Sequence, residues 1–190
     1  MTPADNGHDV YVSVGSNIER HRHVSKALDA LNERYTVLAI SSVYESASIG
    51  FAGEPFFNLV VQFGTTESLI DLVRSLRMIE EENGRNRREP KFSDRTLDID
   101  ILLYDDRVGD FEKIRLPRPE ITENAYVLWP LAEIACDLKL PGSHRRFGDL
   151  WSAYDKTKQQ LTPIRFSWQG NVLPMVSMGH PDRGKGSPDE

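Results

Sequence analysis

Two aspartates that stand two residues apart, beside a basic segment, are the most chemically informative feature of this sequence. Asp98 and Asp100 alternate with apolar residues between Leu97 and Leu102, a pattern typical of a β-strand. Because side chains at positions i and i+2 of a strand point to the same face, the two carboxylates lie side by side, about 7 Å apart along the chain. Such a pair is a platform for Mg²⁺, which prefers oxygen ligands and shares its coordination shell with phosphates.

The segment that precedes these aspartates is rich in arginine. Residues 85–95 carry five basic and two acidic side chains, although the whole chain has a net charge of −6 at pH 7. Arginine binds phosphate oxygens through a planar guanidinium that donates two parallel hydrogen bonds. The sequence therefore predicts a polyphosphate site. The structural alternative is that Asp98 and Asp100 form buried salt bridges with Arg85 or Arg95.

Composition and charge exclude several classes of protein. The chain has 190 residues, of which 39% are hydrophobic and 27% are charged, as expected for one globular domain. The negative net charge argues against binding to nucleic acid or to a membrane surface by bulk electrostatics. A single cysteine excludes a disulfide framework, and neither a Walker A motif nor G-x-G-x-x-G occurs. With no signal-peptide pattern and no apolar run of membrane-spanning length, we expect a cytoplasmic protein.

The elements that position the aspartates alternate between strands and helices. The sequence predicts strands at residues 10–14, 37–44, 56–63 and 96–104. Two helices are predicted between them, with apolar stripes from Val24 to Leu31 and from Leu69 to Ile79, the second capped by Thr66. The order β-α-β-β-α-β favours an α+β, ferredoxin-like sandwich, an antiparallel sheet with flanking helices, two of them on one face.

We expect one domain over residues 9–168, followed by a flexible C-terminal tail at residues 169–190. This last segment contains four glycines and three prolines and has no apolar periodicity. It is therefore expected to be dispensable for activity.

Six segments resemble, in the same order, motifs of the 6-hydroxymethyl-7,8-dihydropterin pyrophosphokinase family. The clearest is Arg95–Leu102, which resembles the family signature R-x-x-D-[LIV]-D. The others are Val12–Asn17, Ser41–Ser46, Phe56–Asn58, Glu80–Arg85 and Tyr126–Leu131. The resemblance extends from about Val10 to Trp151 and implies a ferredoxin-like α+β fold.

The resemblance also implies a reaction, in which diphosphate moves from ATP to the hydroxymethyl oxygen of 6-hydroxymethyl-7,8-dihydropterin and AMP is released, in folate biosynthesis. ATP is then a co-substrate, and Asp98 and Asp100 hold two Mg²⁺ ions. The implied catalytic residues are Arg85, Arg95, Asp98 and Asp100. The implied ATP-binding residues are Glu80, Arg85, Arg87, Arg95 and Arg118. The implied pterin-binding residues are Ser46, Phe56, Asn58, Phe92 and Tyr126, whose aromatic rings stack on the pterin while Asn58 binds its edge.

The sequence departs from the family pattern near the predicted phosphate site. Ser93 and Asp94 stand where the family has Gly-Pro or Gly-Ala, and Phe92 replaces a tryptophan. Arg118 replaces the histidine of the motif L-P-H-P, and Asn124 stands in the position of an arginine. We expect Arg118 to supply the charge that is missing at Asn124, because arginine is always protonated.

Two classes of function stay open, an active pyrophosphokinase and a non-catalytic or altered-specificity paralogue that binds a pterin or a nucleotide. Two adjacent metal carboxylates favour the enzyme, because a binding module does not need them. An RNA-binding module is disfavoured by the net charge. The expected partners are the two small-molecule substrates, with no nucleic acid and no membrane. We expect a monomer, with a homodimer as the alternative.

Overall fold

The structure, a computed structural model, describes residues 7–48, 50, 52–85, 94–111 and 114–176. Its helices are α1 (Arg20–Arg34), α2 (Leu69–Glu82), α3 (Glu120–Glu123), α4 (Ala125–Ile134) and α5 (Phe147–Ala153). Its strands are β1 (His8–Ser16), β2 (Thr36–Ile40), β3 (Val43–Ser46), β4 (Phe56–Thr65), β5 (Asp98–Tyr104), β6 (Gly109–Phe111), β7 (Ile114–Leu116), β8 (Leu161–Ile164), β9 (Ser167–Trp168), β10 (Asn171–Val172) and β11 (Met175–Val176). None of the helices in these ranges combines the length and the apolar character needed to span a bilayer.

A seven-stranded antiparallel sheet forms the centre of the fold, in the order β11-β2-β4-β1-β5, with β3 pairing with β4 and β8. The strand predicted at residues 37–44 is two strands, β2 and β3, which pair with different parts of β4. Ser41 lies between them, and its Oγ accepts a hydrogen bond from the backbone N–H of Val60 at 2.9 Å. This break lets one segment of chain pair along most of the long strand β4.

Helices pack against both faces of the sheet. On one face, α1 and α2 pack on alternate residues of the central strands, such as Val12 and Leu59. On the other face, the helices from α3 to α5 pack on Tyr11, Val60 and Leu102. The predicted fold class, an antiparallel sheet with flanking helices, is confirmed, and the structure adds a second helical layer. The sequence pattern did not assign that layer to a face, because α3 and α5 are short and Pro130 lies inside α4.

Helix α2 begins two residues later than predicted and ends in a turn that matters for the site. Its N-cap is Ser68, not Thr66, since Ser68 Oγ accepts a hydrogen bond from the backbone N–H of Asp71 at 3.3 Å. At its other end Gly84 adopts a φ of 80°, which glycine tolerates without strain. The turn brings the Arg85 N–H back to the carbonyl oxygen of Glu80, at 3.1 Å.

Residues 169–176, which the sequence assigns to a tail, contain the two short strands β10 and β11. Gln169 and Gly170 both have positive φ and make the two-residue turn of the β9–β10 hairpin. Further along, β11 pairs with β2, and the side chain of Leu173 is only 5% exposed. The predicted tail is therefore wrong for residues 169–176, where glycine and proline mark tight turns rather than a mobile chain. Residues 177–190 lie outside the described residues.

We predict that Leu173→Ala lowers the free energy of unfolding by about 2–4 kcal/mol, because it removes a buried side chain and leaves a cavity. The matched control is Val172→Ala, whose side chain is 46% exposed, and the expected change is within about 0.5 kcal/mol. Urea denaturation of the full chain measures both. Equal stability of the two variants and the parent protein would mean that residues 169–176 do not belong to the core.

Candidate active site

Alternate residues of three neighbouring strands form the floor of a cavity of about 410 Å³. Asn58 of β4, Gly15 of β1 and Asp98 of β5 lie opposite one another in one row across the sheet. Ser13 and Asp100 lie opposite each other in the next row. Because residues paired in register point to the same face, these side chains converge on the face that α4 covers further along the strands.

The cavity brings together most of the site residues predicted from the sequence. Those that line it are Ser46, Phe56, Asn58, Arg95, Asp98, Asp100, Arg118 and Tyr126. Gly15 lies beside Asn58 in this floor, and a Cβ built on it would be in ordinary van der Waals contact with Asn58 Oδ1, at 3.6 Å. Arg87 and Phe92, also predicted for the site, lie outside the described residues.

Asp98 is held between two arginines. Arg85 donates a hydrogen bond to its Oδ1, and Arg95 donates one to its Oδ2. Burial raises the pKa of Asp98, but the two guanidinium groups outweigh this effect and hold the pKa below its usual range. The carboxylate is therefore ionised at neutral pH. The salt bridges that the sequence offered as a structural alternative are present for Asp98. Asp98 and Arg95 line the cavity, whereas Arg85, predicted for the site, does not.

Glu80 lies behind Arg85 and ties the end of α2 to β5. Its side chain is almost completely buried, and its Oε1 accepts hydrogen bonds from Arg85 and from the backbone N–H of Ile99, both at 2.8 Å. Glu80 does not line the cavity. The sequence predicted a direct contact with ATP, whereas this placement gives Glu80 a part in positioning Arg85 and the start of β5.

Asp100 differs from Asp98 in its surroundings. Its Oδ1 lies 2.9 Å from a guanidinium nitrogen of Arg118, and its side chain is 39% exposed. Partial desolvation inside the cavity and the charge of Asp98 raise the pKa of Asp100 to about 6, although Arg118 acts in the opposite direction. The two carboxylates thus repel each other, and the pKa of Asp98 is the lower of the two.

The opposite end of the cavity carries an oriented amide and two aromatic rings. Asn58 Nδ2 donates a hydrogen bond to Ser46 Oγ at 2.9 Å, which leaves Oδ1 on the side of Gly15. Phe56 and Tyr126 line the same cavity. Burial raises the pKa of Tyr126, so its hydroxyl stays protonated. Apolar walls with one fixed amide are suited to a flat heterocycle with polar edges.

Sequence reasoning missed the residues that hold the Arg95 backbone. Asn17 Oδ1 accepts a hydrogen bond from the Arg95 N–H at 2.6 Å, and its Nδ2 donates to Asp94 Oδ1 at 2.5 Å. Asn17 follows β1 in the Gly-Ser-Asn turn, and that turn was the available signal. Glu120 was missed as well; its Oε2 lies 3.4 Å from Arg118 Nε.

The chemistry of the carboxylate pair fits Mg²⁺ delivered with a polyphosphate. Within the described ranges there is no group of three or more His, Cys, Asp or Glu side chains that could hold a metal by itself. Asp98 and Asp100 offer carboxylate oxygens from one strand face, and Mg²⁺ is commonly bound by one or two carboxylates with phosphates and water. Substrate phosphates would therefore have to complete the coordination.

Comparison with known proteins finds a consistent set of relatives. The family model of 7,8-dihydro-6-hydroxymethylpterin-pyrophosphokinase (HPPK) matches residues 11–136. The chain is 39% identical over 140 residues to the 2-amino-4-hydroxy-6-hydroxymethyldihydropteridine pyrophosphokinase of Pseudomonas aeruginosa. The aligned region covers 71% of this chain and 86% of that protein. It is 35% identical over 128 residues to the protein of the same name from Bacillus subtilis, which covers 65% of this chain and 76% of that one.

A solved structure gives the same fold. The crystal structure of wild-type Plasmodium falciparum HPPK-DHPS with pteroate superposes with a TM-score of 0.67 at 12% identity, covering 92% of this chain and 49% of that chain. This chain thus spans about half the length of that protein. At this identity the likeness supports the fold alone, which is the ferredoxin-like α+β class.

We predict that the two aspartates differ in their effect on stability when divalent metal is removed with a chelator. Asp98→Asn lowers the free energy of unfolding by about 3 kcal/mol, because it leaves two largely buried arginines without their shared anion. Asp100→Asn is the matched comparison; it leaves the free energy unchanged or raises it, because it removes a like charge beside Asp98. Urea denaturation near neutral pH measures both. Equal losses for the two variants would contradict the arrangement of charges described here.

Proposed function

Because the chain belongs to the 7,8-dihydro-6-hydroxymethylpterin-pyrophosphokinase family, we propose that it transfers diphosphate from ATP to the hydroxymethyl oxygen of 6-hydroxymethyl-7,8-dihydropterin and releases AMP. It is then an ATP-dependent diphosphotransferase of folate biosynthesis. The observation that supports this proposal most directly is the row Asn58–Gly15–Asp98, whose amide and carboxylate line one cavity, where they would bind a heterocycle and a metal.

The spacing within that row suits the two substrates. Neighbouring strands lie about 4.8 Å apart, so the backbones at Asn58 and Asp98 are separated by about 10 Å across Gly15. That separation is comparable with the span of a bicyclic ring and its hydroxymethyl arm. A pterin bound at Asn58 would therefore direct its hydroxyl group towards the carboxylates.

The transfer requires positioning and charge neutralisation rather than a covalent intermediate. The hydroxymethyl oxygen forms a bond to the β-phosphorus of ATP and loses its proton, while the bond between the β-phosphorus and the α,β-bridging oxygen breaks and AMP leaves. Arg95 and Arg118 line the cavity and provide guanidinium groups for the phosphate oxygens. Mg²⁺, held by Asp98 and Asp100, would neutralise charge on the phosphates.

Ser46 has a positioning part in binding the pterin. Since Asn58 Nδ2 donates a hydrogen bond to Ser46 Oγ, the orientation of the amide is set and its oxygen is available as an acceptor for the ligand. The amino group and ring N–H of a pterin would donate hydrogen bonds to that oxygen. Phe56 and Tyr126 would stack on or enclose the ring.

We further propose that the protein acts as a cytoplasmic monomer on these two small molecules and binds no nucleic acid. In support of the absence of nucleic acid, the chain has a net charge of −6 at pH 7.

We predict that purified protein with ATP, Mg²⁺ and the hydroxymethyl dihydropterin produces AMP in equal amount to the pterin diphosphate. Asp98→Asn and Asp100→Asn each reduce kcat by about three orders of magnitude, equivalent to about 4 kcal/mol of transition-state stabilisation. Asp137→Asn is the control, because that side chain is 90% exposed and lies away from the cavity, and its kcat is expected to match the parent protein. Formation of ADP, or pterin binding without any AMP, would contradict the proposal; the latter would favour a non-catalytic paralogue.

We predict that Asn58→Ala weakens pterin binding by about 10-fold to 100-fold, because the ligand loses its hydrogen-bonding partner in a buried position. Gln62→Ala is the control, since Gln62 is a buried amide on the same strand whose Nε2 donates to Asp9 rather than facing the cavity. Isothermal titration with the pterin and, separately, with ATP and Mg²⁺ measures both. Unchanged pterin affinity in Asn58→Ala would contradict binding of the pterin at Asn58, and an equal loss of ATP affinity would mean that the substitution disturbs the whole cavity.

A further inference from the structure

Three of the four carboxylate oxygens of Asp98 and Asp100 are paired with arginines. Arg85 and Arg95 each take one oxygen of Asp98, and Arg118 takes Oδ1 of Asp100 at 2.9 Å. These oxygens are the ones that the proposed function assigns to a divalent metal. A guanidinium and a divalent cation compete for the same oxygen atoms and repel each other at that distance.

Arg118 is well placed to compete, because its backbone and its side chain are both held. Its N–H donates a hydrogen bond to the carbonyl oxygen of Leu102 on β5, at 3.0 Å, and Pro117 and Pro119 restrict the backbone on either side. Glu120 lies 3.4 Å from its Nε and keeps the guanidinium beside Asp100. Arg118 is also a cavity-lining residue, so the same side chain faces the space that a polyphosphate would enter.

A polyphosphate changes the balance at Asp100. It offers Arg118 acceptor oxygens in the planar, bidentate geometry that a guanidinium prefers. Once Arg118 has moved onto a phosphate, Asp100 loses its counter-ion and beside Asp98 becomes a strong attractor for a cation. Without the polyphosphate, a metal would have to displace the Arg118 guanidinium from Asp100, and no phosphate would be present to bind that guanidinium.

We propose that Arg118 acts as an internal counter-ion that occupies Asp100 and makes binding of the divalent metal conditional on binding of the nucleotide polyphosphate. The inference rests on the proposed function in taking a nucleotide polyphosphate as the ligand. By linkage, the coupling is reciprocal, so the metal strengthens nucleotide binding by the same factor as the nucleotide strengthens metal binding. Arg118 is thus a positioning residue that suppresses binding of the metal in the absence of the nucleotide.

The test is a titration with Mn²⁺, followed by electron paramagnetic resonance, in the presence and absence of α,β-methylene-ATP and without any pterin. In the parent protein we expect the nucleotide analogue to tighten Mn²⁺ binding by about 10-fold or more. In Arg118→Gln, Mn²⁺ alone binds about 5-fold tighter or better, and the effect of the analogue shrinks by the same factor. Arg118→His gives the same readout should the glutamine variant fail to fold.

The matched control is Arg115→Gln, which removes an exposed arginine three residues away on β7. Its Mn²⁺ affinity with and without the analogue is expected to equal that of the parent protein. Unchanged or weaker binding of Mn²⁺ alone in Arg118→Gln would overturn the inference, as would an equal gain in Arg115→Gln. These readouts need no turnover, so they stand apart from the AMP assay that tests the proposed function.

Discussion

The repulsion between the carboxylates of Asp98 and Asp100 is the constraint that most of the site is built to satisfy. Both project from one face of β5 into a partly buried cavity, where two unpaired negative charges would be costly. Arg85 and Arg95 neutralise the first and Arg118 the second. Three arginines and two carboxylates thus neutralise most of one another's charge within the protein itself.

The supports of these arginines explain features of the fold that lie outside the cavity. Glu80 is buried near the end of α2, where its carboxylate accepts hydrogen bonds from Arg85 and from the backbone N–H of Ile99 at the start of β5. Asn17, immediately after β1, fixes the backbone of Arg95 through its side-chain oxygen. Residues at the end of α2 and just after β1 thus position the arginines beside Asp98. The site therefore depends on the relative placement of α2, β1 and β5.

The sequence was sufficient for the parts of the site that follow from strand periodicity. The two-residue alternation of β5 predicted that Asp98 and Asp100 share a face, and the family motifs named Asn58 and Phe56 on β4. It was insufficient where contacts join segments that are distant along the chain. The pairing of Arg118 with Asp100 depends on how the segment after β7 returns to β5, and the bond between Asn58 and Ser46 depends on the register of β3 against β4. The strands in residues 169–176 were missed because turn-forming glycine and proline carry the same signal in a hairpin and in a mobile tail.

The floor and the wall of the cavity belong to parts of the molecule that differ in their local stability against unfolding. The floor residues Asn58, Gly15 and Asp98 sit in adjoining strands with helices packed on their reverse side, the kind of unit that opens only when a protein unfolds globally. The wall residues Arg118 and Tyr126 lie between β7 and α3 and at the start of α4, on either side of α3, which has only four residues. Local opening on warming is expected to begin in that wall. The protein would then cease to retain its ligands while its central sheet is still intact, and heat would inactivate it before it melts.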